Sequence, residues 1–599
     1  MKNIPKIEKI RHSLAHLLAA AVLQKFPSAK LGIGPTIENG FYYDFLLPRP
    51  LTNEDLKDLE KIMRQWIALK LPFKQKKVTA IQAKKIFKNQ PFKLELIKDL
   101  QTAKQPITIY TTGTLPNKRS KDKTNYYFLD LCRGGHIKNT SEINPETFQL
   151  QSIAGAYWKG NEKNPQLQRI YGIAFYTKEE LNNYLNFLEE AKKRDHRKLG
   201  KELKHFTILD EIGGGLPLFY PKGAILRRLI EDFITQLQES KGYVPIWIPH
   251  ITKSKLYQIS GHLDKYDAMY PPMKLPEEDD YYLKPMNCPH FMMLYKTELH
   301  SYKDLPLRYT STTTVYRYEK SGELSGLTRV RALTQDDCHV FATPQQIKSE
   351  INLMLDMIEE TYKTFGFNDF WVRISTHDPQ NKEKYIGGEK IWNESERSLK
   401  ELIQKRGWKS KIGVGEAAFY GPKLDFMIKD VLGREWQLST IQLDMNLPQR
   451  FDLEYIDQKG KKEKPVVIHR AILGSTERFM AILLEHYGGN LPLWLSPLQV
   501  KIIPIADRHQ NYAQNILTYL QNFNIRSEIA QTGNTLNKNI REAELEKIPY
   551  LIILGDKEIQ NQTLTVRKRH EKEIQNYSLE KFVEKLKKEI QEKNKKLEF

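Results

Sequence analysis

A segment rich in arginine and threonine, Arg308 to Phe341, carries side chains that suit a bound nucleotide. Arg317 and Glu319 lie two residues apart on a predicted strand, and Arg329 and Arg331 follow a glycine-containing loop. Residues at i and i+2 of a strand share one face. A guanidinium binds phosphate and a carboxylate accepts a hydrogen bond from an exocyclic amine, so this hairpin is a candidate nucleotide site.

A second candidate phosphate site lies in residues 465–483. An apolar predicted strand is followed by a turn of three small residues, and Arg478 then lies near the start of a predicted helix. The backbone N–H groups that are free at a helix N-terminus can bind phosphate together with this arginine. Upstream, residues 243–251 (YVPIWIPHI) form a proline-containing, β-rich run after a predicted long helix.

These segments belong to a chain of 599 residues, which predicts about four domains at ~150 residues each. Hydrophobic residues make up 40% and charged residues 28%, a composition that is typical of packed domains and excludes a disordered chain. Three cysteines are too few for a disulfide framework. The chain has no run of about 18 apolar residues, so no membrane span is predicted. We therefore expect a cytoplasmic protein.

The net charge of the chain is +20, from 93 Lys and Arg against 73 Asp and Glu. Such an excess indicates a polyanionic partner, with nucleic acid as the first hypothesis. The alternative is a lysine-rich solvated surface without a partner, and composition alone leaves both interpretations open.

The elements that must position these residues form three regions. A helix over 11–25 and short strands over 41–45 and 126–131 predict an N-terminal α+β domain. Residues 178–205 are charged and periodic at helical spacing, which predicts one long exposed helix between two domains. From Val500 strands and helices alternate, as in a mixed sheet covered by helices, and the last eight residues are expected to be disordered.

The three chemical segments, taken in chain order, resemble motifs 1, 2 and 3 of class II aminoacyl-tRNA synthetases. The strings KPMNCPHFMMLY, LTQDDCHVF, EAAFYGPKLDF, IHRAILGSTERF, RHSLAHLLAAA and LDLCRGGH look like the threonyl-tRNA synthetase family. The resemblance covers essentially the whole chain. Most bacterial members carry a further ubiquitin-like TGS domain at the N-terminus, which we expect to be absent here.

This resemblance implies an α+β multidomain fold. Its expected parts are an editing domain (1–177), a linker helix (178–205), a catalytic domain with the class II antiparallel sheet (206–497) and an α/β anticodon-binding domain with a mixed five-stranded sheet (498–599). It also implies a homodimer joined through motif 1, and an enzyme that uses L-threonine, ATP with Mg²⁺ and tRNA(Thr).

The resemblance assigns roles at the synthetic site. Arg317 is expected to contact the α-phosphate, Glu319 the adenine amino group, and Arg329 and Arg478 the outer phosphates. His262 is expected near the terminal ribose of tRNA, where it assists transfer. The remaining matches are Leu333, Gln437 and Thr440 for the nucleotide, and Gln335, Asp337, Tyr420, Lys423 and Gln442 for threonine.

Three residues in the matching strings are expected to hold one zinc ion per subunit: Cys288, His339 and His469. One sulfur and two imidazoles leave a fourth position open, as in catalytic zinc sites. Such a site can bind both the amino group and the hydroxyl of threonine, which excludes valine. Serine lacks only a methyl group, a difference worth ~1–3 kcal/mol, so a second, hydrolytic site is expected.

The N-terminal domain is expected to supply that hydrolytic site. His12 and His16 are four residues apart and share a helix face, and Cys132 and His136 lie in the string CRGGH close to Asp130. By resemblance these five residues hydrolyse seryl-tRNA, with imidazoles that activate or orient water. The alternative is that His12, His16, Cys132 and His136 form a closed zinc site.

Several positions depart from the family pattern. Leu333 replaces a phenylalanine that stacks on adenine, so we expect weaker stacking and more dependence on Arg478. Cys338 replaces an alanine beside His339 and should point away from the metal. Gly135 replaces a proline, which should loosen its loop slightly.

The last domain is expected to read the anticodon through Glu558 and Arg567. The neighbouring string AQTGNTL (530–536) departs from the family pattern, because it lacks the arginine and aspartate of relatives. Two alternatives to the whole assignment are a class II synthetase for another amino acid, such as proline or serine, and a non-catalytic RNA-binding paralogue that regulates translation. The zinc trio and the His12-His16 domain argue against the first, and the retained phosphate and metal ligands argue against the second.

Overall fold

The computed structural model describes residues 4–113, 126–276, 278–431 and 433–599. Two compact units divide the chain, residues 1–190 and residues 191–599. No helix within these described ranges is both long enough and apolar enough to cross a membrane.

The first unit is an α+β structure built on a five-stranded sheet and a three-stranded sheet. Its elements are α1 (Lys6–Lys25), β1 (Lys30–Leu31), β2 (Thr36–Ile37), β3 (Gly40–Leu46), α2 (Asn53–Ala68), β4 (Phe73–Lys77), α3 (Ala80–Ile86), α4 (Pro91–Thr102), β5 (Thr108–Gly113), β6 (Tyr127–Leu131), β7 (Phe148–Tyr157) and β8 (Gln166–Ala174). In the larger sheet β3 pairs with β8 and β8 with β7, all antiparallel. Helix α1 is buried along most of its length and packs on β3 and α2, which fixes the face that carries His12 and His16.

The segment that was expected to be one helix over 178–205 contains two. Helix α5 (Lys178–Arg194) ends before Asp195, whose side chain accepts a hydrogen bond from the Arg197 backbone N–H (2.8 Å) and starts α6 (His196–Glu202). The expectation of a single exposed helix was wrong, because an aspartate at an N-cap begins a new helix. Helix α6 also buries His196.

The largest sheet of the second unit has eight strands in the order β11-β14-β15-β22-β19-β18-β16-β17. The elements of this region are β9 (Phe206–Thr207), β10 (Leu218–Phe219), α7 (Pro221–Ser240), β11 (Val244–Pro245), β12 (Ile251–Lys253), α8 (Ser254–Ser260), α9 (His262–Lys265), β13 (Tyr281–Leu283), α10 (Cys288–Lys296), β14 (Leu307–Tyr316), β15 (Ala332–Ala342), α11 (Ile347–Phe365), β16 (Phe370–Thr376), α12 (Glu389–Arg406), β17 (Ser410–Val414), β18 (Lys423–Lys429), β19 (Glu435–Asp444), α13 (Leu447–Arg450), β20 (Tyr455–Ile456), β21 (Lys462–Glu463), β22 (Val466–Ala471) and α14 (Thr476–Tyr487).

The central strands of this sheet are antiparallel, as expected, and only the two edge pairs are parallel. The pairing of β15 with β22 sets His339 directly opposite His469. Helices α7, α11 and α14 contribute apolar side chains to the core that covers one face. The other face is therefore free to carry polar side chains.

The C-terminal region has the expected mixed five-stranded sheet, in the order β24-β23-β25-β26-β27. Its elements are β23 (Val500–Pro504), α15 (Gln510–Asn522), β24 (Ser527–Ile529), α16 (Leu536–Leu545), β25 (Tyr550–Leu554), α17 (Asp556–Asn561), β26 (Leu564–Lys568), β27 (Ile574–Tyr577) and α18 (Leu579–Gln591). The expectation of a disordered end was wrong. Phe599 is buried and its ring stacks on that of Tyr550, with 4.8 Å between centroids, so a tertiary contact holds the chain end.

Candidate active site and candidate editing site

A cavity of about 400 Å³ lies over the polar face of the eight-stranded sheet, at the start of α14. Eleven predicted site residues line it: Arg317, Glu319, Arg329, Leu333, Gln335, Tyr420, Lys423, Gln437, Thr440, Gln442 and Arg478. Strands β15, β18 and β19 supply six of them. The antiparallel sheet thus brings together residues that are far apart in sequence.

Three arginines concentrate positive charge in this cavity. Arg478 lies in the first turn of α14, where its Nε donates to the Thr328 carbonyl (2.9 Å) and an Nη to that of Gln437 (3.2 Å). Burial lowers the pKa of Arg478, and the nearby charges of Arg317 and Arg329 lower it further. Like charges held this close favour an anionic ligand, because a phosphate relieves their repulsion.

Two residues that were assigned to ATP bind each other. The guanidinium of Arg329 donates to Glu319 through Nε (3.0 Å) and Nη2 (2.8 Å), and Nη2 also pairs with Glu323 (2.6 Å). A nucleotide that contacts both Arg329 and Glu319 has to share or replace this ion pair.

Asp425 binds several residues that line the cavity, and sequence reasoning missed it. Its buried carboxylate accepts hydrogen bonds from Gln437 (2.8 Å) and Thr440 (3.2 Å), and it pairs with Lys423 (3.0 Å) and Arg373 (3.2 Å). The available signal was the spacing of Lys423 and Asp425, which places both on one strand face. One carboxylate therefore orients three predicted site residues.

Cys288, His339 and His469 lie together, and one ligand atom of each falls within 4.8 Å of the others. All three are buried. Both ring nitrogens of His339 and Nδ1 of His469 have no hydrogen-bond partner among the residues that the structure describes. Nε2–H of His469 donates to Asp444 (2.9 Å), a bond that leaves Nδ1 as the free lone pair.

This cluster fits a zinc ion. Buried imidazole nitrogens without partners are costly unless a ligand satisfies them, and sulfur with two imidazoles is a donor set that suits zinc. Tyr420 connects the cluster with the cavity, because it lines the cavity and its ring stacks on that of His469 (5.1 Å between centroids). Cys338 lies on the opposite face of β15 near Arg470, as expected, and is not part of the cluster.

Besides Cys288, His339 and His469, two predicted residues of the synthetic site do not line the cavity: His262 and Asp337. His262 is buried, with Nδ1 against Ser260 Oγ (2.7 Å) and Nε2 against the sulfur of Met286 (3.2 Å), a residue that does line it. Burial, together with the charge of Arg317, lowers the pKa of His262 to about 3, so its ring is neutral at pH 7. Asp337 accepts a hydrogen bond from Asn287 (2.8 Å) and lies 3.6 Å from Nδ1 of His339.

The first unit brings its predicted residues into a second cluster. The Cys132 sulfur lies 3.5 Å from Nε2 of His12 and 3.2 Å from Nε2 of His136. His16 stands one helical turn after His12, and its Nε2 lies 3.9 Å from the Asp130 carboxylate. Helix α1 supplies the first pair of histidines, and β6 with the loop after it supplies the other residues.

Burial sets the protonation of this cluster. It lowers the pKa of His12 and holds those of His16 and His136 well below the usual value, and it raises the pKa of Cys132 to about 12. At pH 7 the imidazoles are therefore neutral and the thiol keeps its proton. Neutral imidazoles can accept a proton from water, whereas a protonated thiol is a hydrogen-bonding group rather than a nucleophile.

Two further residues of this site were missed. The Tyr43 hydroxyl donates to Asp130, and the buried Lys93 ammonium binds both that hydroxyl (2.9 Å) and Asp130 (2.6 Å). The only available signal was a lysine among the apolar residues of α4. Lys93 and Tyr43 hold Asp130 beside His16, so they belong to the site.

Gly135 has a backbone φ of +91°, which a proline ring cannot adopt because it fixes φ near −65°. A proline therefore cannot replace Gly135 on this backbone, and the expected slight loosening of the loop stays a prediction. The α-carbon of Gly135 is also close to His12, since an added Cβ would lie 3.6 Å from Nδ1.

The two residues that were expected to read the anticodon are engaged within the C-terminal region. Glu558 accepts hydrogen bonds from the Gly555 N–H (2.8 Å) and the Thr565 hydroxyl (2.8 Å). Arg567 pairs with Glu544 and donates to the Glu571 carbonyl (2.7 Å). A base that contacts either side chain competes with these bonds.

Comparison with known families agrees with this layout. Residues 272–487 match the tRNA synthetase class II core domain (G, H, P, S and T), residues 499–589 the anticodon binding domain, and residues 107–171 the threonyl and alanyl tRNA synthetase second additional domain. A solved prolyl-tRNA synthetase from Cryptosporidium parvum has a similar fold, with a TM-score of 0.52 at 15% identity over 66% of this chain and 75% of that chain. The antiparallel sheet and its arginine-lined cavity are those of a class II aminoacyl-tRNA synthetase.

Curated relatives identify the family within this class. A threonine–tRNA ligase of Thermosynechococcus vestitus is 44% identical over 97% of this chain and 95% of its own, and that of Deinococcus radiodurans is 48% identical over 93% and 85%. The solved RNA binding domain of threonyl-tRNA synthetase from Cryptosporidium parvum aligns at 36% identity and a TM-score of 0.63, over 66% of this chain and 98% of that chain. The chain belongs to the threonine–tRNA ligase family.

Proposed function

We propose that this chain activates L-threonine with ATP, transfers it to the 3′ end of tRNA(Thr) and hydrolyses seryl-tRNA(Thr). The observation that carries the proposal is the position of the Cys288–His339–His469 cluster, which adjoins the arginine-lined cavity through Tyr420. An amino-acid site and a nucleotide site are thereby joined, as adenylate formation requires.

In the proposed reaction a carboxylate oxygen of threonine attacks the α-phosphorus of ATP, and the bond to pyrophosphate breaks. Arg317 and Arg478 stabilise the charge that develops on the phosphates, with Arg329 at the outer phosphates. The terminal ribose hydroxyl of tRNA then attacks the carbonyl carbon of the adenylate and releases AMP. These steps need positioned charges and no covalent enzyme intermediate.

The amino-acid end of the cavity determines specificity. Cys288, His339 and His469 would hold zinc, which when bound supplies a Lewis acid that selects an amino acid with both an amino group and a hydroxyl. Four polar residues that line the cavity bind and orient the substrate: Gln335, Tyr420, Lys423 and Gln442. Because serine keeps both groups and differs by one methyl, it is activated only about 10–200-fold less efficiently than threonine.

Pyrophosphate exchange measured separately with each of the twenty amino acids tests this function. We expect the highest rate with threonine, a lower rate with serine and background with valine. Exchange that depends on proline, or none with any amino acid, would contradict the proposal. An Arg478→Ala variant should lose activity by about 10²–10³-fold, the range seen when one transition-state charge partner is removed.

We propose that the protein is a homodimer joined through residues 243–251. Val244, Trp247 and Ile251 in this run are 51%, 80% and 47% exposed, and several exposed large apolar side chains in one short segment favour a protein interface. Light scattering at micromolar concentration should give twice the 70.2 kDa of one chain. Trp247→Glu should shift the protein toward the monomer, and a monomeric wild type would refute the proposal.

Leu333 is expected to limit ATP binding, because it lines the cavity without offering an aromatic face to adenine. Leu333→Phe should lower the KM for ATP by about 2- to 10-fold, the worth of one aromatic contact. The KM for threonine serves as the control and should stay the same. An unchanged or raised KM for ATP would mean that leucine packs against the base as well as a ring does.

A further inference from the structure

His196, at the start of α6, is a buried residue of the second unit that has no role in the reaction above. Both of its ring nitrogens make hydrogen bonds. Nε2 accepts from the Leu327 backbone N–H (3.0 Å), and Nδ1–H donates to Glu485 (2.7 Å). Because a backbone N–H can only donate, the contact with Leu327 fixes the neutral ring with its proton on Nδ1.

Leu327 belongs to the segment between β14 and β15 that carries Arg329. Its side chain is fully buried, and Gly326 before it has a φ of +48°. A Cβ at Gly326 would lie 2.1 Å from Nε2 of His196, so the segment approaches the ring more closely than any other residue would allow. The imidazole therefore packs against residues 326–327 and restricts their position.

Glu485 lies in the last turn of α14, and Arg478 lies in the first turn of the same helix. The Arg478 Nε donates to the carbonyl of Thr328, the residue after Leu327 (2.9 Å). Thr328 is therefore linked to the first turn of α14 through Arg478. Leu327, the residue before it, is linked to the last turn of α14 through His196 and Glu485.

The side chains of Asp195, His196 and Glu485 lie close enough together to hold a metal ion, but their polar atoms already form hydrogen bonds and ion pairs. Asp195 accepts from the Arg197 N–H and pairs with its guanidinium (2.6 Å), and Glu485 pairs with Arg434. A histidine with both nitrogens hydrogen-bonded has no lone pair left for an ion. The group is a hydrogen-bonded support.

We propose that His196 is a positioning residue for the ATP site. Through the Leu327 N–H it sets the backbone of residues 326–329, and with it the positions of Arg329 and of the carbonyl that holds Arg478. The inference rests on the proposed function, because it concerns the same nucleotide site. It adds His196 of helix α6 to the residues that shape that site.

Two substitutions separate the two hydrogen bonds. In His196→Gln the side-chain amide reaches the level of Nε2 and can accept from Leu327. In His196→Asn the amide reaches only the level of Nδ1 and can donate to Glu485, which leaves the Leu327 N–H buried and unpaired. An unpaired buried donor is the costlier loss.

Threonine-dependent pyrophosphate exchange should show the difference. We expect His196→Asn to raise the KM for ATP about tenfold or more and His196→Gln to stay within about twofold of wild type, with the KM for threonine unchanged in both. Hydrogen exchange of peptides that contain Leu327 should quicken in the Asn variant and stay slow in the Gln variant. Both variants are expected to unfold at lower temperature than wild type.

Equal KM values for ATP in wild type and the Asn variant, with only the unfolding temperature lowered, would reduce His196 to a packing role and overturn the proposal. A larger KM in the Gln variant than in the Asn variant would also overturn it. If wild type shows no threonine-dependent exchange, the proposed function fails instead. Calorimetric titration of ATP into the three proteins then still tests whether His196 positions a nucleotide site.

Discussion

Replacing Cys288 with serine is expected to remove both the bound zinc and threonine-dependent pyrophosphate exchange. A hydroxyl oxygen is a much poorer zinc ligand than a thiolate, and His339 and His469 alone do not complete a three-ligand site. Loss of a residue that hydrogen-bonds to a metal ligand typically lowers metal affinity about 10–100-fold. Loss of a ligand itself should lower the affinity by more than that. Metal analysis of the purified chain and the exchange rate at saturating ATP measure the two effects.

Cys338→Ser is the matched control, because this second buried cysteine lies on the other face of β15. It should keep one zinc per chain and the wild-type exchange rate. Asp444→Asn should give an intermediate result, with zinc affinity about 10–100-fold lower, since Asp444 orients His469 through a hydrogen bond. Full zinc and full threonine activation in Cys288→Ser would refute the assignment.

The zinc content also distinguishes the two interpretations of the N-terminal cluster. His12, His16, Cys132 and His136 have the spacing of a closed metal site. If they only activate water, the wild-type chain binds one zinc. A second equivalent that disappears when His12 and His16 are replaced would make the cluster a metal site.

Local patterns in the sequence predicted most of the fold, and the failures have a common physical cause. Short apolar runs identified β23, β25 and β26 as strands, because most of their residues are buried. The fifth strand, β27, was expected only from the family resemblance, because all four of its residues are at least partly exposed and form no apolar run. Phe599 was missed because a single aromatic residue in a lysine-rich tail has no periodicity, and its burial depends on Tyr550.

The candidate sites show the same limit. Residues that face a ligand were found because their types suit the chemistry, as with the arginines of the cavity. Residues that hold those side chains were missed: Asp425, Asp444, Lys93 and His196 act through hydrogen bonds to positions that are remote in sequence. A buried carboxylate or imidazole has no sequence signal for its partner, so only the folded chain reveals such roles.

The two candidate sites share no residue and lie in different compact units. The synthetic site should accept serine at a rate only one or two decades below threonine, because a single methyl distinguishes the substrates. Accurate charging then depends on the N-terminal cluster, where burial keeps three imidazoles neutral at pH 7. Damage to that cluster should therefore affect accuracy and leave the rate of synthesis unchanged.

Replacing His12 and His16 together with alanine is expected to slow hydrolysis of seryl-tRNA(Thr) by about 10²–10⁴-fold, the usual contribution of a positioned general base. Threonine activation should remain at the wild-type rate, and seryl-tRNA should accumulate when serine is supplied. Cys132→Ala should act in the same direction but less strongly, because burial keeps this thiol protonated and limits it to hydrogen bonding. The measurement is deacylation of pre-formed seryl-tRNA, with threonyl-tRNA as the substrate control and thermal unfolding as the control for helix α1. Wild-type deacylation by a folded double variant would mean that the histidines only stabilise the helix, and the N-terminal unit would then have a structural or tRNA-binding role.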